Sequence, residues 1–146
     1  MGLDMCAYTA SRAGQHNDFY EGEGEMVDGQ WKSATITKPR EIAYWRKHPN
    51  LHGWMEELWI DKLAAEGKEP GESQFGSTFN GVELELTWED LDQLEQDVTQ
   101  GRLPDTTGFF FGDPADNYYR EQDLEFIRKA RAELFLGLKV FYNSSW

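Results

Sequence analysis

The chain has 146 residues, with 27 Asp and Glu against 14 Lys and Arg, for a formal net charge of -13. So negative a surface repels nucleic acid and anionic membrane and attracts basic partners, which removes direct nucleic-acid and membrane binding from the expected functions. Aromatic residues make up 14% of the chain, unlike a disordered acidic tail, so one domain over residues 1–146 with a real core is expected.

Residues 2–8 read as a short strand. Residues 1–10 carry Asp4 and no basic stretch, so no secretory leader is expected there. Cys6 is the single cysteine, which rules out an intramolecular disulfide and a Cys-based zinc site and fits a reducing cytosol. Lacking a cationic neighbour in sequence, it reads as a buried structural thiol. Residues 11–30 are polar and Gly-rich, and Asp18, Glu21, Glu23, Glu25 and Asp28 bring no compensating base between residues 15 and 30. The expectation is a mobile acidic loop or long hairpin tip, turning at Asp28-Gly29, with residues 31–37 as a returning strand.

Pro39 to Gly67 reads as mainly helical. Leu51, Trp54, Met55, Leu58, Trp59 and Leu63 recur at helical spacing. Pro49 either kinks one long helix or opens a second at its first position. The second reading is preferred: a short helix near 40–47, a break, and a helix near 49–66. Residues 67–81 form a loop, and residues 82–86 alternate as a half-exposed strand does. Thr87-Trp88-Glu89-Asp90 resembles a capping box. The helix behind it sets Trp88, Leu91, Leu94 and Val98 on one face and ends at Gly101. A loop over 102–116 carries Gly108-Phe109-Phe110-Phe111-Gly112. A last helix, capped by Asp116 or Asn117, puts Leu124, Ile127, Ala130, Leu134 and Leu138 in register and stops at Gly137, before a strand over 138–142. This order predicts an α+β fold: a small, mainly antiparallel sheet of three to four strands, about three to four helices on one face, and the terminal strands paired. No stretch approaches the ~18 apolar residues of a membrane span.

Several constellations bear on chemistry. His48, His52 and Glu56 recur at i, i+4, i+8, a spacing that on an unbroken helix offers metal ligands, but Pro49 interrupts it and HEXXH is absent. No metal and no cofactor is expected. The acids Glu83, Glu85, Glu89, Asp90, Asp92, Glu95 and Asp97 read as a solvated face or as a negative strip that imitates phosphate spacing. Three consecutive Phe cannot all point inward from one strand face, so one of Phe109–Phe111 lines a pocket or contact unless both faces are covered. Lys32, Lys38, Arg40, Arg46 and Lys47 form a basic island interleaved with Tyr44 and Trp45, either a charged helix face or a site that stacks a base and pairs a phosphate.

The opening Met1-Gly2-Leu3-Asp4-Met5, the segment Glu41-Ile42-Ala43-Tyr44-Trp45-Arg46-Lys47 with Leu51-His52-Gly53-Trp54, the Leu103-Pro104 to Gly112 loop, the Tyr118-Tyr119 pair and the ending Tyr142-Asn143-Ser144-Ser145-Trp146 resemble a family of small proteins in bacteriophages and prophages. The resemblance spans most of the chain and implies biological context rather than chemistry. It also implies an unbroken helix through the Tyr-Trp-Arg-Lys segment. Pro49 departs from that, and His48 has no counterpart.

The expected protein is a phage-type cytoplasmic binding protein without catalytic residues, acting on a host defence or regulatory system. It would engage a basic host protein through Glu83, Glu85, Glu89, Asp90, Asp92 and Glu95. Alternatively, it would capture a small nucleotide-like, phosphorylated ligand through Tyr44, Trp45, Arg46, His52, Phe109 and Phe111. A His52 hydrolase using Glu56 or Glu57, and a structural accessory protein, are the competing readings, with homo-oligomerisation left open.

Overall fold

The computed structural model describes residues 2–11, 13, 24–33, 39–72, 77–104 and 116–146, with only the backbone path at 24–27, 30–33 and 116–118. The two ends of the chain supply its central strands. Asp4–Ala10 (β1) and Lys139–Ser145 (β6) pair antiparallel along their whole length, from Asp4 opposite Ser145 to Ala10 opposite Lys139. Arg40–Arg46 (β4) flanks β1, and Leu84–Leu86 (β5) flanks β6, so a four-stranded antiparallel sheet runs in the order β4-β1-β6-β5. Gly24–Val27 (β2) and Gln30–Ser33 (β3) form a separate hairpin. Its turn is the expected Asp28-Gly29, both at positive φ (53° and 76°), where Asp is tolerated and Gly is free of strain. The acidic loop expected over 11–30 therefore includes a strand, and the rest of it lies largely outside the described residues.

Three helices complete the α+β fold: Pro49–Ala65 (α1), Trp88–Thr99 (α2) and Asp116–Phe135 (α3). Pro49 opens α1, where its missing N–H costs nothing. Thr87 caps α2 through the Asp90 amide, and the Asp90 side chain returns to the Thr87 amide at 2.9 Å, closing the capping box. Gly101 and Gly137, at φ of 65° and 88°, sit in the left-handed conformation just beyond α2 and α3.

The helix expected near 40–47 is instead β4. Ile42, Tyr44 and Trp45 suit a pleated, half-buried surface, and pairing with β1 outweighs the helical preference of Ala, Glu and Arg in the same segment. This is also why the described residues hold three helices and not four. The segment turns into α1 at Lys47, which takes the left-handed conformation (φ 57°) and donates its amide to Leu3 O at 2.8 Å.

Strand alternation gives the sheet two faces. Met5, Ala7, Trp45, Leu84, Leu86, Val140 and Tyr142 share a core with Leu51, Trp54 and Met55 of α1, Leu91, Leu94 and Val98 of α2, and Phe126, Ile127 and Ala130 of α3. Tyr8, Ala10 and Phe141 form a smaller cluster with Cys6 on the opposite face, Tyr8 stacking on Phe141 at 5.5 Å. Trp88, expected on the buried face of α2, is half-exposed and lies under the Arg131 guanidinium. All of Pro49–Met55 is buried, so the first two turns of α1 are covered all round, with His52 against Tyr142 and Phe79 and Trp54 bonded to Asp97 of α2.

Because the capping box satisfies two backbone donors, Thr87→Ala should cost about 1 kcal/mol. Urea unfolding should show a lower midpoint at unchanged slope.

Candidate functional site

Of the six residues expected to line a ligand pocket, the four that are described, Tyr44, Trp45, Arg46 and His52, do not converge. On β4, Trp45 points into the core while Tyr44 and Arg46 point to the other face and are exposed. Phe109 and Phe111 lie outside the described residues. Trp45 Nε1 donates to Asp123 Oδ1 at 3.0 Å, and His48 Nε2 lies 2.8 Å from Asp123 Oδ2. All three are buried, so Asp123, one turn along from Tyr119 on α3, pins the β4–α1 corner from beneath. A carboxylate oxygen at this distance suits the His48 tautomer that donates from Nε2. Its ring stacks on Tyr119 at 4.2 Å, and Tyr119 donates its hydroxyl to Arg46 O at 2.7 Å.

His52 lies in the first turn of α1 and is fully buried. Its Nδ1 is 2.8 Å from the Tyr142 hydroxyl, and its ring contacts Phe79 and Trp146. Burial pushes the His52 imidazole down to about 4 and the Tyr142 phenol far above its ordinary range. His48 and His52 thus serve different partners, Asp123 and Tyr142. Glu56 accepts from Ser77 at 2.5 Å, and Glu57 is exposed. No group of three His, Cys, Asp or Glu gathers as a metal cage among the described residues.

The acidic strip is largely engaged within the protein. Glu83 accepts from the Tyr8 hydroxyl, Glu85 meets Lys139 at 3.3 Å, and Asp90 meets Lys62 at 2.6 Å. Asp92 and Glu95 both hold Arg131 of α3, at 2.6 and 2.7 Å. Glu89 is exposed. Glu83 and Glu85 stand at β5 and the others on α2, so the six acids span two surfaces with cations set among them.

A cleft of about 400 Å³ lies instead on the face of the sheet turned away from α1, α2 and α3, lined by Asp4, Cys6, Glu41, Tyr44, Asn143 and Ser145 together with Met5, Gly81 and Ser144. A β-bulge makes it possible. The β1–β4 register slips between Ala7 and Tyr8: Ala7 faces Ala43, but Tyr8 faces Glu41, leaving Ile42 without a partner. In a regular strand Glu41 and Tyr44 would point to opposite faces; the extra residue puts both on this one. Tyr44 donates its hydroxyl to Asp4 at 2.7 Å, which holds the phenol above its usual range. Arg46 Nε approaches the same carboxylate at 3.9 Å. Cys6 sits between Tyr44 and Asn143 in the register. Burial and the Glu41 charge push its thiol up to about 11, so it is a neutral, half-buried lining group rather than a nucleophile.

Sequence reasoning missed Asp123 and Glu41. Asp123 had a signal: it occupies an apolar position in the stripe formed with Phe126, Ile127 and Ala130. Glu41 had none, because its facing depends on the bulge. Neither a family model, nor a curated protein, nor a solved structure matches this chain. No helix among the described residues is long and apolar enough to cross a membrane.

Removing the shared acceptor leaves Trp45 Nε1 and His48 buried without it, so Asp123→Ala should cost about 3–5 kcal/mol in urea unfolding. Asp123→Asn should cost clearly less, since its amide can accept from Trp45 and donate to the other His48 tautomer. His52 supplies a pH test. Its folded value lies below the ordinary value of 6.5, so on acidification the unfolded chain takes up the proton first. Stability should be full above about pH 6.5 and decline toward pH 4, by roughly 3 kcal/mol for a shift of this size. The stability difference between the parent and His52→Asn should change across that window; a pH-independent difference would overturn the assignment.

Proposed function

We propose that the protein is a non-catalytic binding protein whose sheet face turned away from α1, α2 and α3 engages a basic segment of a partner protein. The observation that carries this reading is the bulge that gathers Glu41, Tyr44 and Asp4 around one cleft. Two carboxylates beside an exposed phenol ring suit an Arg or Lys side chain, which gains charge-assisted hydrogen bonds and contact with the ring face. The net charge of -13 adds long-range attraction for the same partner. The resemblance to phage proteins makes a host defence or regulatory protein in the host cytoplasm the expected partner.

Capture of a phosphorylated ligand is the weaker reading. Trp45 and His52 are sealed in the core, and the exposed Arg46 already neighbours Asp4, whose charge opposes an anion. The acids of α2 contribute to the general field, since most are held by Arg131 and Lys62.

Binding of a fluorescein-labelled, Arg- and Lys-bearing decapeptide, followed by anisotropy, tests the proposal. The double variant Asp4→Asn, Glu41→Gln should weaken binding at least about tenfold, and added salt should weaken it further. Asp61→Asn with Glu121→Gln removes the same charge from exposed helix positions and should change little. Equal losses in the two double variants would reduce the interaction to net charge and overturn the cleft.

A further inference from the structure

Among the described residues the sheet ends on β4 and on β5, and an open edge invites another strand. Side chains cover part of each. At β5, Lys62 Nζ donates to Glu85 O at 2.6 Å. On β4, Gln122 Nε2 donates to Tyr44 O at 2.5 Å and the Tyr119 hydroxyl to Arg46 O at 2.7 Å. Among the described residues, no side chain covers the backbone of residues 40–42 in this way. There the strand bulges at Ile42, and a groove of about 310 Å³ opens between it and α3.

The groove departs from the rest of the surface in charge. Arg40, Arg128 and Lys129 line it with Ile42, Ala132 and Glu133, while the neighbouring Glu41 side chain belongs to the opposite-face cleft as well. Arg40 pairs with Glu133, and Arg128 with Glu125. Both side chains remain about two-thirds exposed, at 64% and 68%, and each guanidinium has N–H donors beyond those in its ion pair. Lys129 is exposed and forms no ion pair among the described residues.

We propose that this groove receives an extended, acidic segment of a partner chain. The segment continues the sheet from residues 40–42 of β4 and sets its carboxylates against Arg40, Arg128 and Lys129. Backbone pairing supplies affinity and the alternate side chains supply selectivity, as in other strand-addition modes. A nucleic acid carries the right charge for the three cations but not the backbone to pair with a strand, and the surrounding negative field repels it. This surface is separate from the proposed site for a basic segment and takes the opposite charge, so the two readings fail independently.

The test uses the full chain and a fluorescein-labelled hexapeptide of alternating Glu and Val. Anisotropy should report binding at low salt that weakens about tenfold in the Arg128→Glu, Lys129→Glu double variant. Replacing the central Val of the peptide by Pro should abolish it, because Pro cannot donate to a ladder. In the ¹⁵N-labelled parent, the peptide should shift the amide resonances of residues 40–42, a readout that needs no variant. Absence of binding, equal binding of the Pro peptide, no shift at residues 40–42, or tighter binding of a ten-nucleotide oligothymidylate would each overturn the proposal.

Discussion

One buried carboxylate organises the corner on which the fold turns. Asp123 accepts from Trp45 at the end of β4 and meets His48 at the start of α1, so a single α3 side chain fixes where the strand stops and the helix begins. The arrangement is stable only as a set. A carboxylate without water must have its acceptor positions filled, and both rings must find a partner for their buried N–H groups. Tyr119, one turn earlier on α3, reinforces the same corner by stacking on His48 and holding Arg46 O. The helix is thereby bonded to the edge strand as well as packed on it.

The same strand carries the feature on which the proposed function rests. Ile42 is one residue too many for the β1 ladder, and the slip rotates the chain before it by one face. Glu41 therefore joins Tyr44, Asp4 and Cys6 on the side turned away from the described helices, and the bulge also opens the groove toward α3. Two surfaces of opposite character arise from one irregularity on an edge strand.

Charge has to be read through this geometry. A net value of -13 describes the field far from the protein. Close to it, Asp92, Glu95 and Arg131 tie α2 to α3, Asp90 ties β5 and α2 to α1 through Lys62, and Glu85 faces Lys139. These acids act first as links between elements. The carboxylates at the cleft, Asp4 and Glu41, are fewer but sit beside an exposed ring and an accessible volume, which is what recognition of a cation requires.

The sequence by itself determined the α+β class, the pairing of the terminal strands, the start of α1 at Pro49, the capping box at Thr87 and the hairpin turn at Asp28-Gly29. Each follows from a local preference or from a periodicity that one segment carries alone. Only the tertiary structure decided that residues 40–46 are a strand, because their mixed propensities are settled by pairing with β1. It decided, too, that Trp45 and His52 are core residues: facing depends on alternation and on partners, Asp123 and Tyr142, that lie more than 70 residues away in the chain. The cleft was beyond reading for the same reason. Its residues come from three strands and the loop before β5, and the facing of Glu41 rests on a register slip that no single segment records.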